Sequence, residues 1–309
     1  MNSREAAEVD SSTQGSRGDV VMVIAGALLI SMKGILAKLL YREGVAVEAI
    51  LLLRAWISLP LVWTWALYRV GPRGIASVPR NLVAGAVLAG VVSYYLGAWL
   101  DFAALTLIDA SLERVLLFSY PVIVVIARAV VLRRLPSRRV VGAVLLTYLG
   151  IVLAVGGFEA QLWQANAFGA AFVLLAAAGF AYFLIANERV AREAGSVVFI
   201  LFASSGAALA FAVHFALFGD PADLHVSARA FGLIVFMTAA TNVLPLFMFS
   251  ASIRRIGAQR AAIISSIGPP STIVLAMLVL DEVLRPGQWF GTAMIIAGIL
   301  VLEARRGRV

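Results

Sequence analysis

The chain consists mainly of apolar stretches about as long as a bilayer is thick, and no other feature restricts its fold so severely. Stretches such as Val20–Leu40, Leu82–Leu100, Val197–Phe218 and Ala261–Leu280 carry few or no charges. About 20 such residues, rising ~1.5 Å each in a helix, cross a ~30 Å hydrocarbon layer. Hydrophobic residues make up 62% of the 309 and charged residues 14%. A water-soluble protein of this size has no means of covering that much apolar surface, so lipid must do it. The expected fold is an all-α integral membrane protein.

Ten spans can be drawn, at 19–41, 46–68, 81–100, 109–132, 139–157, 168–187, 196–218, 230–251, 258–280 and 287–304. The loops between them alternate in charge. One side collects Arg69, Arg73, Arg80, the run Arg133, Arg134, Arg138 and Arg139, then Arg189, Arg192, Arg254, Arg255, Arg260, Arg305, Arg306 and Arg308. With Arg4 and Arg17 of the leading segment this is 17 of the 25 Lys and Arg, against Arg42, Arg229 and Arg285 opposite. The positive-inside rule then puts both termini in the cytoplasm. It also accounts for the net charge of +8 without a nucleic-acid partner. Residues 1–18 are polar and lack the apolar core of a signal peptide, so they are expected to form a disordered cytoplasmic tail.

The chain repeats itself. Asp109–Gly150 matches Gly257–Gly298, with Pro121 paired to Pro269 and Gly150 to Gly298, each 148 residues apart. Both copies run from a proline-containing span through a charged hinge to a glycine-bearing span. The hinge is Arg133-Arg134 in one copy and Asp281-Glu282 in the other. Five spans separate the copies, an odd number, so the halves 19–157 and 168–305 should lie in opposite orientations. Inverted repeats of this kind are a transporter architecture, with solute handled where the halves meet.

The residues resemble the drug/metabolite transporter superfamily, specifically bacterial permeases built from two EamA repeats. The likeness rests on Lys38 and Arg54 at the entry, on "ALTLIDASLERVLLFSYPVIVVI", and on "RRIGAQRAAIISSIGPPSTIVLAMLVLDEVLRPGQWFGTAMIIAGILVL" with Glu282 and Gly291. It departs at Arg134, where the family often has a glutamate, and at Lys33, where many relatives have an uncharged polar residue. The resemblance implies a bacterial inner-membrane carrier that moves small organic solutes, commonly outward, by alternating access. Relatives include amino-acid exporters of the YddG type and carriers of drugs, sugars and phosphorylated metabolites.

An ionisable group within a span costs about 2.5–3.5 kcal/mol by insertion scales, so each invites a reason. Away from their ends the spans hold Lys33, Lys38, Arg54, Arg114 and Arg128 against the single carboxylate Glu113. Lys33 is close to mid-membrane, facing either a cavity or neighbouring helix carbonyls. Lys38 can snorkel, as can Arg128. The planar guanidinium of Arg54 suits a carboxylate, in a solute or in the protein. Glu113 and Arg114 point about 100° apart and each needs a partner elsewhere, Lys38 or Arg54 for Glu113. That pairing is either a gate or a static bond.

Tyr95 and Trp99, four apart in "SYYLGAWLDF", are either an interfacial belt or the wall of a solute cavity. Asn242 offers a donor and an acceptor in mid-span. Pro121, Pro269 and Pro270 remove backbone donors, freeing carbonyls near Ser265 and Ser266 at bends that serve as hinges or as fixed kinks. Gly287, Gly291, Ala293 and Ala297 mark span ten for close packing, which could include a homodimer.

The expected function is secondary transport of an amino acid or related carboxylate-bearing metabolite. A lipid-linked sugar, a nucleotide sugar or a drug is the alternative within the class. An intramembrane enzyme is the alternative outside it. With no cysteine, no HExxH and only His214 and His225, no catalytic set, metal site or cofactor is expected. A proton pump is disfavoured because one acidic residue makes a poor relay.

Overall fold

The computed structural model describes residues 17–131, 133, 138–155, 157, 159–245, 248, 264 and 267–303. Most of the leading tail, Ser265, Ser266, Arg134 and the Arg128 side chain lie outside the described residues. The described chain is helical, as a lipid-embedded backbone must be to satisfy its own N–H and C=O groups. The helices are α1 (Gly18–Arg42), α2 (Val47–Ala76), α3 (Arg80–Ala104), α4 (Ala110–Leu117) and α5 (Tyr120–Val131). They continue with α6 (Arg138–Val155), α7 (Ala160–Ala194), α8 (Ser196–Phe218), α9 (Ala228–Val243), α10 (Gly268–Leu280) and α11 (Pro286–Glu303).

Seven apolar helical segments are long enough to cross a membrane, α4 and α5 counting together as one; α9, α10 and α11 are apolar but shorter. The chain is a multi-pass membrane protein. Of the ten expected spans, seven coincide with full-length segments and the last three with helices below a full crossing length among the described residues.

Several backbone irregularities recur at a spacing of 148 residues. α3 widens into a π-helical turn at Val91–Gly97 and α9 does so at Ala239–Val243. α5 begins at Tyr120-Pro121 and α10 at Gly268-Pro269. Proline in a first turn loses no helix hydrogen bond, so each of these prolines starts a helix rather than bending one. Arg133 (φ 48°) and Asp281 (φ 59°) are the two non-glycine residues with left-handed backbone among the described residues. Each closes its helix, and they too are 148 apart.

The most extensive helix pairing is α6 with α11. A Cβ on Gly150 would lie 2.7 Å from the Gly291 carbonyl oxygen, and one on Gly291 would lie 2.5 Å from the Gly150 carbonyl. Gly298 faces Thr147 and the Ala143 carbonyl at similarly short range. As α6 advances from 143 to 150, its partner positions retreat from 298 to 291, so the two helices run antiparallel. The contact is also its own mirror image: 150 meets 291 and 298 meets 143, the same two positions exchanged between the repeats. The Gly291 and Gly298 face of α11 is therefore filled from within the chain, while Gly287 faces open space.

α1 is interrupted at Met32, where the turn tightens and the Ser31 carbonyl is released to accept a hydrogen bond from Thr272 Oγ1 of α10 at 3.1 Å. The Ser31 hydroxyl hydrogen is shared between the carbonyls of Ala27 (2.7 Å) and Gly268 (3.0 Å). This clasp fixes the start of the second half of α1, whose first residue is Lys33.

Candidate functional site

Lys33 lies where α1, α3 and α4 converge. Its ammonium pairs with Asp101 of α3 and with Glu113 Oε1 of α4, the latter at 3.1 Å. The Glu113 side chain is fully buried and that of Asp101 nearly so. Asp101 Oδ1 and Glu113 Oε2 are buried and receive no donor. Gly34 makes room for this arrangement, since a Cβ there would press on Ala110 (3.2 Å) and Glu113 Oε2 (3.3 Å). Arg114, on the adjoining side of α4, reaches the cluster through space, stacks 6.0 Å from the Phe118 ring and leaves its buried Nε unpartnered.

One turn further along α1, Lys38 sits between Glu282 Oε1 (3.4 Å) and Asp109 Oδ1 (3.6 Å). Asp109 has N-cap backbone geometry for α4, but its side chain makes no capping bond. Glu282, from the loop before α11, caps the helix instead. It accepts from Ala110 N (2.8 Å), Ser111 N (3.0 Å) and Ser111 Oγ (2.8 Å). A carboxylate at a helix N-terminus satisfies otherwise orphaned donors and opposes the positive end of the helix dipole. Burial, and then the charge of Glu282, raise the Asp109 carboxyl above its ordinary range, with Lys38 acting the other way. The same end of the bundle is tied by Arg42 donating to the Leu280 carbonyl (3.2 Å), and by the pairs Arg285–Glu159 (2.6 Å) and Arg229–Glu43 (3.3 Å). Four of these ties join the first half of the sequence to the second.

Arg54 of α2 occupies a different environment. It donates from Nη2 to Asn242 Oδ1 (3.0 Å), on the π-helical turn of α9, and its Cζ lies 4.8 Å from the centroid of Phe102. No carboxylate pairs with it among the described residues, and its buried Nε has no partner. The Tyr41 hydroxyl donates to the Phe102 backbone carbonyl at 2.8 Å, anchoring α3 to α1 beside that ring. On the π-helical turn of α3, the Tyr95 hydroxyl lies 2.7 Å from His214 Nδ1 of α8 and its ring meets Phe211 edge-on at 5.0 Å. Trp99 faces His214 (6.0 Å) and Phe172 (6.5 Å), with its buried Nε1 also lacking an acceptor. A π-turn adds a residue to the helix and redirects the side chains it carries, and such turns are frequent at functional sites. Here the two π-turns place Tyr95 and Asn242 towards α8 and α2.

The family model of the EamA-like transporters matches residues 18–156 and again 167–303. The chain belongs to the EamA-like transporter family. This EamA-like chain is also 31% identical over 306 residues to the protein named "Uncharacterized transporter YcbK" of Bacillus subtilis (strain 168), covering 97% of each. It superposes on a protein crystal structure with a TM-score of 0.63 at 17% identity, covering 95% of this chain and all of that one. At that identity the superposition speaks for the fold alone. Both names, of the family and of the relative, point to a transporter rather than an enzyme.

Several pairings differ from those expected of the sequence. Glu113 binds Lys33, not Lys38 or Arg54. Lys38 is held by two carboxylates, those of Asp109 and Glu282. Glu113 is not the sole acid of the spans, because α3 runs on to Ala104 and buries Asp101. The available signal was the apolar Phe102-Ala103-Ala104 that follows Asp101. His214 was noted in the sequence only as lacking a catalytic partner, yet it joins Tyr95 to Trp99. Pro121, Pro269 and Pro270 stand at helix starts beside this cluster, Gly268 packing within 3.2 Å of Arg114 Nη2 if given a Cβ.

Proposed function

We propose that this EamA-like protein is a ten-span carrier of two inverted five-helix halves. It moves an amino acid or related carboxylate-bearing metabolite outward across a bacterial inner membrane by alternating access, with both termini in the cytoplasm. One observation carries the substrate reading. Lys33 and Lys38 are each held by two carboxylates, whereas Arg54 is a buried guanidinium whose only bonded partner among the described residues is a neutral amide. A solute carboxylate is the partner that a guanidinium fork accepts best. Tyr95, Trp99 and His214 supply an adjoining wall for an apolar or aromatic side group, with the Trp99 indole N–H free to donate. Ser265, Ser266 and Asn242 complete the candidate binding set on the second half.

The antiparallel, mirror-image contact of α6 with α11 and the matched π-turns support the inverted halves. The ties around Glu282 and Lys38 support a carrier closed at the end opposite the arginine-rich loops. Alternating access then requires that these ties break when that end opens, with Glu113 and Arg114 on the helix that Glu282 caps. Pairing of two copies through span ten would have to use the exposed side of α11 that carries Ala293 and Ala297.

The test is flux in proteoliposomes with a panel of labelled amino acids and simple carboxylates. Wild-type protein should release at least one of them down its gradient. Arg54→Ala should abolish that flux in protein whose thermal unfolding shows it to be folded, and Arg54→Lys should restore only part of it. Flux of every panel member undiminished by Arg54→Ala would overturn the substrate site. Orientation is open to single-cysteine labelling, since the native chain has no cysteine: Arg4→Cys and Arg308→Cys should react only from the cytoplasm and Asp223→Cys only from outside.

A further inference from the structure

We propose that Asp101 and Glu113 hold one exchangeable proton between them, and that this proton is the ion the carrier couples to its solute. The second half of that statement rests on the carrier reading above; the first rests on geometry alone. The two carboxyls are buried and flank a single ammonium, that of Lys33. Lys33 donates to one oxygen of each, and the remaining oxygens, Asp101 Oδ1 and Glu113 Oε2, have no donor. Two ionised carboxylates have no hydrogen to offer each other. Two carboxyls crowded on one buried cation do not both ionise readily, and a proton on either one supplies the donor that the pair lacks.

The surroundings agree with a single proton. Lys33 and Tyr41 face the pair from α1, Arg54 from α2 with Glu48 further off, and Arg114 from α4. α10 contributes no charged side chain along Gly268–Leu280. Only Lys33 is bonded to the pair, so its one bonded cation is matched by one carboxylate, and the second carboxyl keeps its proton. On opening, the O–H bond breaks, the proton passes to water and a second carboxylate remains, which Arg114 is placed to offset. The pair sits on α3 and α4, and α4 is the helix whose N-terminus Glu282 caps from the other half. Breaking that cap is therefore mechanically linked to hydrating the pair.

Infrared difference spectroscopy of the purified protein in nanodiscs tests the site. Wild type should show a protonated-carboxyl C=O stretch near neutral pH, shifted in D2O and titrating away at alkaline pH. Both Asp101→Asn and Glu113→Gln should remove it. Absence of a band removed by either substitution overturns the proposal. Coupling is tested in proteoliposomes enclosing a pH-sensitive dye and challenged with a mixture of amino acids. Wild type should exchange protons for solute, whereas folded Glu113→Gln should carry out amino-acid counterflow without proton movement. Amino-acid flux in wild type with no proton movement overturns the coupling. If no amino acid moves at all, the amino-acid reading fails and takes the coupling with it, while the infrared result still decides the proton pair.

Discussion

The two halves of the protein share a backbone and differ in chemistry. The π-turns, the proline helix starts, the left-handed closing residues and the glycine seam all recur 148 residues on. The buried charges do not. Lys33, Lys38, Arg54, Asp101, Glu113 and Arg114 correspond to Ala181, Ala186, Phe202, Phe249, Ala261 and Ala262. α7 carries no charge from Ala160 to Asn187, and α8 none throughout. The duplicated features are those that shape helices and let them approach. The unique ones line the interface with functional groups. Symmetry here belongs to the scaffold, and the buried charges belong to the first half, joined by Asn242 and Glu282 from the second.

This contrast can be broken most forcefully at Lys33. Lys33→Met leaves two buried carboxyls without their bonded cation, and losing one partner of a buried ion pair costs about 3–5 kcal/mol. The mate Ala181 is itself buried, so its control is the small substitution Ala181→Ser, which should cost far less. Thermal unfolding in one detergent measures both, and equal losses would refute the division of labour. Next come the paired glycines. Gly150→Val and Gly291→Val each force a side chain into opposing backbone and should each cost about 3 kcal/mol, by the same assay. A large loss at one and none at the other would mean the seam is not reciprocal.

Glu282→Ala removes the cap on α4 and should cost about 0.5–2 kcal/mol. It should also raise cysteine labelling of a reporter introduced at Thr106, on the turn beside that cap. The smallest effect is expected at Asp109. Its carboxyl is raised by burial and by Glu282, so the folded state binds the proton more tightly than the unfolded chain does. Stability therefore falls as pH rises through the window between the ordinary carboxylate value and the raised one. Asp109→Asn should melt slightly higher than wild type at neutral pH. That gap should close as the pH drops below the ordinary carboxylate range.

Much of the scaffold could be read in the sequence because its causes are local. Apolar length gives the spans, and Pro121, Pro269, Gly150 and Gly298 mark the repeat. The site was less legible because its causes are not local. Glu113 and Lys33 are 80 residues apart, and nothing in either neighbourhood names the other. Asp101 falls where a span was drawn to stop, so its burial depends on how far α3 continues. The π-turns arise from packing, as where Gly90 closes directly on the Ala203 backbone, rather than from residue preference. His214 gained its place from Tyr95 and Trp99, which only the fold brings near.

The reciprocal seam between α6 and α11 has a consequence for how such a molecule can vary. A contact that is its own mirror image is one that two separate five-helix chains could make. In such a pair every substitution would be entered twice, and a lysine with its acids at one site would be doubled in the same cramped cavity. Joining the copies into one polypeptide lifts that constraint, leaving one half free to carry the whole load of charge while its twin stays greasy.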